Sequence, residues 1–194
     1  MQKQILADHV GVTLEINPRV IVPDTNCFVD HLEEIKKLTS SGAFAVRVPL
    51  TVLGELDGLA RGADVDKYGS KEHAFRVTES AERASEYLRS KDRPSNLKCV
   101  TTKGNLVANL NMNLTEEDDG GKESNDDLIL RTCVNLCKEK AGVRREDEKG
   151  RKMMLFKREV VLLTDDRNLK LKAHIADIPV NKLRDFTRWA FPAN

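Results

Sequence analysis

Apolar residues along the chain fall into two rhythms. Short continuous runs occur at Arg19–Val22, at "FAVRVP" (Phe44–Pro49), at "LKCVTT" (Leu97–Thr102) and at "EVVLLT" (Glu159–Thr164). Their length and β-branched content predict strands. Between them the spacing turns helical. Phe28, Leu32, Ile35 and Leu38 predict a helix over Asn26–Ser40, closed by Gly42, and "LTVLGELDGLARG" predicts a second ending at Gly62. Ala74, Val77, Ala81, Ala84 and Leu88 mark one face of a helix over Glu72–Arg89. Further helices are predicted from Asn125 to Ala141 with Asn125 as its N-cap, from Asp166–Asn168 onward, and over Asn181–Phe191, with a short strand at "DIPV" (Asp177–Val180) before the last. Residues 1–18 read as a lead-in with an alternating stretch at Val10–Ile16. Residues 103–124, with the run "EEDDGG", and 142–157 read as polar loops. Strands that alternate with helices and are apolar along their length predict a mainly parallel sheet covered on both faces. The expected fold is therefore a three-layer α/β/α sandwich, Rossmann-like, over residues 19–194.

That topology gives meaning to the carboxylates. In open α/β sheets, sites form outside the carboxyl ends of the strands. Asp24 follows the first strand, Asp165 and Asp166 follow "EVVLLT", Glu55 lies in the helix after "FAVRVP", and Asp126 and Asp127 open the helix at Asn125. Any one of these alone reads as a helix cap or a partner for the helix dipole. At least four on one rim repel one another, and a divalent cation relieves that repulsion most simply. Oxygen donors without clustered His or Cys favour Mg²⁺ or Mn²⁺ over Zn²⁺. Such a cation suits phosphoryl chemistry.

Composition narrows the field. With 194 residues, 40% hydrophobic and 32% charged, the chain suits one globular domain. The net charge of +1 announces no nucleic-acid binder, so that role would need a local patch. No apolar leader and no long apolar span is present, so neither secretion nor membrane insertion is expected. The four cysteines (Cys27, Cys99, Cys133, Cys137) form no CxxC pair and read as reduced thiols of a cytoplasmic or nuclear protein. Several carboxylate and phosphate chemistries fail on pattern. Asp24-Thr25-Asn26 lacks the DxD of haloacid-dehalogenase phosphatases, the order of acids does not match a receiver domain, and neither a phosphate-binding P-loop nor a G-x-S-x-G elbow occurs.

The segments "VPDTNCFVDHL", "VPLTVLGELDGL", "NDDLIL" and "VVLLTDDRNLKLKA" resemble the four acidic motifs of PIN-domain ribonucleases, and the resemblance spans about Arg19 to Trp189. "LTDDRNLKLKA" before a helix bearing Trp189 is similar in particular to the PIN domains that cleave RNA in nonsense-mediated decay. The resemblance implies catalytic roles for Asp24, Asp126 and Asp166 and a cation held by these three with Glu55. It implies supporting roles for Thr164, Asn26, Asp127 and Asp165. The expected reaction is Mg²⁺- or Mn²⁺-dependent endonucleolytic hydrolysis of single-stranded RNA. The alternative is a weakly catalytic scaffold that binds mRNA-decay or telomerase factors; the retained acids favour the enzyme.

Such a cleft repels RNA, so basic residues are expected around it. Segment 144–158 holds seven basic and three acidic residues, and Arg144, Arg145, Arg151 and Lys152, with Arg167 and Lys170, are the candidate RNA contacts. With one Trp and two Tyr, base stacking is not the expected main mode of binding. Phe186 and Trp189 are expected to pack against the domain. A monomeric domain is expected, recruited to decay factors through other regions of a larger protein.

Overall fold

The computed structural model describes residues 11–64, 68–108, 110, 123–137, 143–146 and 152–192. In chain order the elements are β1 (Gly11–Pro23), α1 (Thr25–Ser40), β2 (Ala45–Pro49), α2 (Leu50–Ala60), α3 (Lys71–Arg89), β3 (Leu97–Val100), α4 (Asn125–Leu136), β4 (Val143–Glu146), β5 (Lys152–Leu163), α5 (Arg167–Ile175), β6 (Val180–Asn181) and α6 (Leu183–Ala190). The sheet runs β3-β2-β1-β5-β4, with β6 also paired to β5. Every pairing is parallel except β4 with β5. The α/β sandwich with a mainly parallel sheet is therefore the fold, because strands buried on both faces can be joined only by helical crossovers.

Two predicted boundaries move. β1 reaches back to Gly11, taking in residues that had read as a lead-in. Its register with β5 shifts between Ile16 and Val20, and Pro18 sits inside that shift. Proline cannot donate to a ladder, so a local irregularity absorbs it and the strand continues. The charged segment 142–157 is no simple loop either, since β4 and the amino half of β5 form a hairpin there. Alternating charged and apolar residues hid both extensions. Of the predicted 103–124 loop, 109 and 111–122 fall outside the described residues, as do 138–141 of the helix predicted to reach Ala141.

The register places Ile21, Val46 and Leu97 level on one face of adjacent strands. They belong to a single buried cluster with Phe28, Ile35 and Leu38 of α1 and Ala81, Ala84 and Leu88 of α3. The small residues of α3 let it lie close against α2, where Arg89 donates to both carboxylate oxygens of Asp57 (2.8 and 2.6 Å) and Ser85 donates to Asp57 as well (2.7 Å). Burial raises the Asp57 carboxyl, yet the hydrogen bonds from Arg89 and Ser85 outweigh it and leave Asp57 below its ordinary range. Both side chains are about one-third exposed, so solvent screens the pair. Arg89→Met should cost about 1 kcal/mol and lower the melting temperature by about 2–4 °C in differential scanning calorimetry. An unchanged melting temperature would mean the clamp contributes nothing.

At the end of the chain, Phe186 is 2% exposed and packs edge-on against Phe44 at 5.2 Å. Trp189 leans on Phe186 at 5.5 Å but stays 62% exposed, so the packing expected of both residues holds fully for only one.

Candidate active site

β1 ends at Pro23, and the Asp24 amide extends the ladder by donating to the Leu163 carbonyl (3.0 Å). The Asp24 side chain then caps α1, Oδ1 accepting from the Cys27 amide (2.9 Å). Its Oδ2 accepts from the Thr164 hydroxyl. Asp24 is only 3% exposed. Burial raises its pKa; the Thr164 and Cys27 hydrogen bonds oppose this without cancelling it, and the Asp165 charge adds to the rise. The Cys27 thiol donates to the Leu163 carbonyl at 3.2 Å, and burial pushes it well above the ordinary thiol range. That inert, packed thiol explains how Cys fits beside the acidic loop.

Thr164 joins two acids. While its hydroxyl donates to Asp24, it accepts from the Asp166 amide (3.0 Å). Asp166 Oδ1 in turn caps α5 by accepting from the amides of Asn168 (2.7 Å) and Leu169 (2.8 Å). The T-x-D spacing is thus the spacing of a strand end and a helix N-cap sharing one hydroxyl. Glu55 links three helices: it accepts from the Thr25 hydroxyl and from Asn125 Nδ2 (2.7 Å).

α4 is capped by Ser124 rather than by the predicted Asn125. Ser124 and Asp127 form a reciprocal capping box, which frees Asn125 to reach Glu55. Lys172 of α5 comes over the start of α4, 2.7 Å from Asp127 Oδ1, 3.2 Å from Ser124 Oγ and 3.7 Å from Asp126 Oδ2. Its hydrogen bond holds the Asp127 carboxyl down to about 2 and raises Lys172 itself. Asp126 moves the other way. Burial raises it, Lys172 opposes, and repulsion from Asp166 and Glu55 leaves it above the ordinary carboxylate range.

Asp24, Glu55, Asp126 and Asp166 line one cleft of about 380 Å³, together with Thr25, Asn26 and Tyr68. Asp127 and Asp165 stand outside its lining, so each acid pair contributes one member. Asp165 faces Lys182 (3.5 Å) and Lys170 (3.7 Å). An adjoining groove carries Asn26, Asp30, Asp165, Asp166 and Arg167. Among residues the sequence reading did not single out, Lys172 and Tyr68 reach the acids or their cleft. Lys172 was legible in principle, lying six residues, nearly two turns, beyond Asp166. Nothing local pointed to Tyr68.

The basic segment expected at the rim lies elsewhere. Arg144 and Arg145 are on β4 and Lys152 opens β5, while Arg151 falls outside the described residues. β4 pairs with residues 152–155, eight to eleven positions before Leu163. At about 3.3 Å per residue, that backbone is roughly 26–36 Å from the acidic edge. Among the described candidate RNA contacts, only Arg167 and Lys170 stand at this edge, and Lys170 faces Asp165.

Four carboxylates on one cleft match a hard divalent cation in chemistry, and the repulsion felt by Asp126 shows charge there for a cation to balance. Their spacing does not yet close on an ion: among the described residues, no group of three or more His, Cys, Asp or Glu is placed to hold one. Asp24, Glu55, Asp126 and Asp166, the ligand set the resemblance implies, line the cleft without closing on an ion. The physical reason is that protein donors already engage these acids: Thr164 and Cys27 hold Asp24, Thr25 and Asn125 hold Glu55, Lys172 draws Asp126, and the α5 amides hold Asp166.

The lysine contact carries a pH prediction. Asp127 lies near 2 in the fold against 3.8 in its absence, so its contribution to stability is present above pH 3.8 and is lost as pH falls through 2. In Lys172→Met, the Asp127 carboxyl titration followed by NMR should move up from about 2 toward 3.8. A titration that stays near 2 would assign the depression to Ser124 instead.

A family model described as PIN domain matches residues 21–184. A telomerase-binding protein EST1A from Danio rerio is 39% identical over 180 residues, covering 91% of this chain; the chain spans only 12% of the length of that relative. The PIN domain of human SMG5 superposes with a TM-score of 0.46 at 20% identity, covering 88% of this chain and 97% of that one.

Proposed function

This chain belongs to the PIN-domain family, and from that premise we propose that it is a divalent-cation-dependent endoribonuclease acting on single-stranded RNA. The observation that carries the reading is the convergence of Asp24, Glu55, Asp126 and Asp166, from four separate segments, on one cleft at the carboxyl edge of the sheet. These four would hold Mg²⁺ or Mn²⁺. When bound, the cation supplies Lewis-acid activation of a water and stabilises charge on the scissile phosphate.

The chain's own residues have separate tasks in this reading. Thr164 fixes the Asp24 carboxylate and, through the Asp166 amide, the start of α5, so the two acids move as one unit. Glu55, held by Thr25 and Asn125, ties the second acid to the same frame. Asn26, exposed at the start of α1, lines both the cleft and the adjoining groove, where it can donate to a phosphate oxygen. Lys172 offsets the charge of Asp126 and Asp127, keeping α4 docked in a site that would otherwise repel itself.

A second reading has its own support. Among the described residues no three acids close on an ion, and a relative at 39% identity carries a name describing telomerase binding, both of which suit a PIN scaffold of low activity. Cleavage of a circular single-stranded RNA decides between them. With Mn²⁺ or Mg²⁺, the nuclease linearises the circle, and chelation by EDTA stops it; a folded protein that leaves the circle intact with either cation is the scaffold. The proposed setting is mRNA decay, as a monomeric domain in the cytoplasm or nucleus, with recruitment through regions of a longer protein.

A further inference from the structure

The acidic cleft needs a cationic neighbour to hold a polyanion, and the β4–β5 hairpin is at the far end of its strand. A different pocket meets the requirement. It lies at the β3 edge, has a volume of about 340 Å³, and is lined by Arg89, Lys91, Arg93 and Lys98 with the hydroxyl residues Ser90 and Ser95; among the described residues no carboxylate lines it. In a chain of net charge +1, four cations around one pocket are a strong local excess.

Two of the four are occupied structurally. Arg89 is clamped on Asp57, and Arg93 donates to the Leu88 carbonyl (2.6 Å) at the end of α3. Cations near a helix C-terminus also answer its dipole. Lys98 has no such role, because it comes from the middle of β3. Among the described residues the side chain of neither Lys91 nor Lys98 makes a hydrogen bond or ion pair. The register sets Lys98 level with Arg47 on β2, on the same sheet face, and the Arg47 guanidinium donates to the Asn96 carbonyl (2.8 Å) in the turn beside the pocket.

The register relates this pocket to the site. Ile21 pairs with Val46 and Arg47 with Lys98, which sets Lys98 level with Val22, two strands across and two residues short of Asp24. With strands about 4.8 Å apart and residues about 3.3 Å apart, the Cα atoms of Lys98 and Asp24 are roughly 12 Å apart. That line runs through the buried strands β1 and β2, and Arg89–Ser95 lead into the amino end of β3 whereas the acids stand at the carboxyl edge, so RNA in contact with both would pass around the edge of the sheet.

We propose that the Arg89–Lys91–Arg93–Lys98 pocket is a phosphate-binding subsite that holds the sugar–phosphate backbone of single-stranded RNA outside the acidic cleft. The proposal rests on the nuclease reading for its choice of polyanion. Ammonium, guanidinium and hydroxyl donors around a small pocket match phosphodiester oxygens. Among the described residues, Ala108 and Leu110 are the only apolar ones lining the pocket. Among the described residues no aromatic ring lines it, so it grips the backbone without reading bases.

The test is fluorescence anisotropy of labelled oligouridine on the whole chain in EDTA, so that binding is read without cleavage. Lys91→Ala/Lys98→Ala is compared with wild type across a salt series, leaving the structural Arg89 and Arg93 intact. The expected result is about a tenfold weaker Kd and a salt slope shallower by about 1.4, from two lost contacts at about 0.7 each for a single strand. A double variant with wild-type affinity and slope overturns the proposal, as does a wild type that binds no oligouridine. So does loss of poly-glutamate binding with RNA binding unchanged, which makes the pocket a peptide site. The nuclease reading is judged separately. An inactive wild type whose RNA binding still depends on Lys91 and Lys98 leaves the subsite standing and removes the nuclease, and the converse pair of results removes the subsite alone.

Discussion

Circular single-stranded RNA incubated with Mn²⁺ and the Asp24→Asn variant should stay circular, the rate of linearisation falling by on the order of 10³-fold, equivalent to about 4 kcal/mol of barrier. Asp166→Asn should behave alike. Both changes remove a charge while keeping the shape, and neither is expected to unfold the chain. Asn caps a helix as well as Asp does, so the bonds to the amides of Asn168 and Leu169 survive in Asp166→Asn. At Asp24 the ionised carboxylate is a cost to the native state, because burial raises its pKa above 3.8. Its favourable contribution is fully present below pH 3.8 and is lost as pH rises through the raised value. Without a divalent cation, wild-type thermal stability should therefore fall as pH rises through that value, and Asp24→Asn, which also loses the bond from the Thr164 hydroxyl, should lack that pH dependence. A variant that cuts at the wild-type rate with an intact circular dichroism spectrum would sink the assignment. One that is inactive because it is unfolded would show up in the same spectrum.

The second large effect is expected at Thr164. Thr164→Val keeps the volume and loses the hydroxyl that donates to Asp24 and accepts from the Asp166 amide. Thr164 is fully buried, so both partners lose a bond with little water to replace it. The cost should be about 3 kcal/mol, lowering the melting temperature by about 6–12 °C. Thr164→Ser keeps the hydroxyl and should lose less than half as much. Cleavage should fall in Val and largely persist in Ser, because Thr164 positions Asp24 and does not itself touch substrate. If Val and Ser melt together, the hydroxyl is not the joint between the two acids.

The origin of these effects explains what could be read in advance. The fold was legible because long apolar strands alternating with amphipathic helices admit few arrangements other than a covered parallel sheet. Asp24 and Asp166 were legible because each directly follows a strand and starts a helix. Asp126 and Glu55 needed the added inference that their helices begin on the same edge. The β4–β5 hairpin and the start of β1 were not legible, since charges dilute their alternation and Pro18 interrupts a strand whose register the sheet repairs. The described ends of the basic segment 144–158, on β4 and at the start of β5, stand well down the strand from the cleft whose rim they were expected to line. Composition carries no information about which end of a strand a residue occupies.

By itself, then, the sequence determined the layered α/β fold and which carboxylates could meet, because both follow from periodicity and from the rule that sites lie at strand carboxyl ends. Only the tertiary structure decided how those carboxylates are held and where positive charge stands near them. The Thr164 hydroxyl between Asp24 and Asp166, Lys172 over Asp126 and Asp127, and Lys98 two strands from Asp24 join residues far apart in the chain. Such contacts depend on strand order and register, which no local pattern encodes.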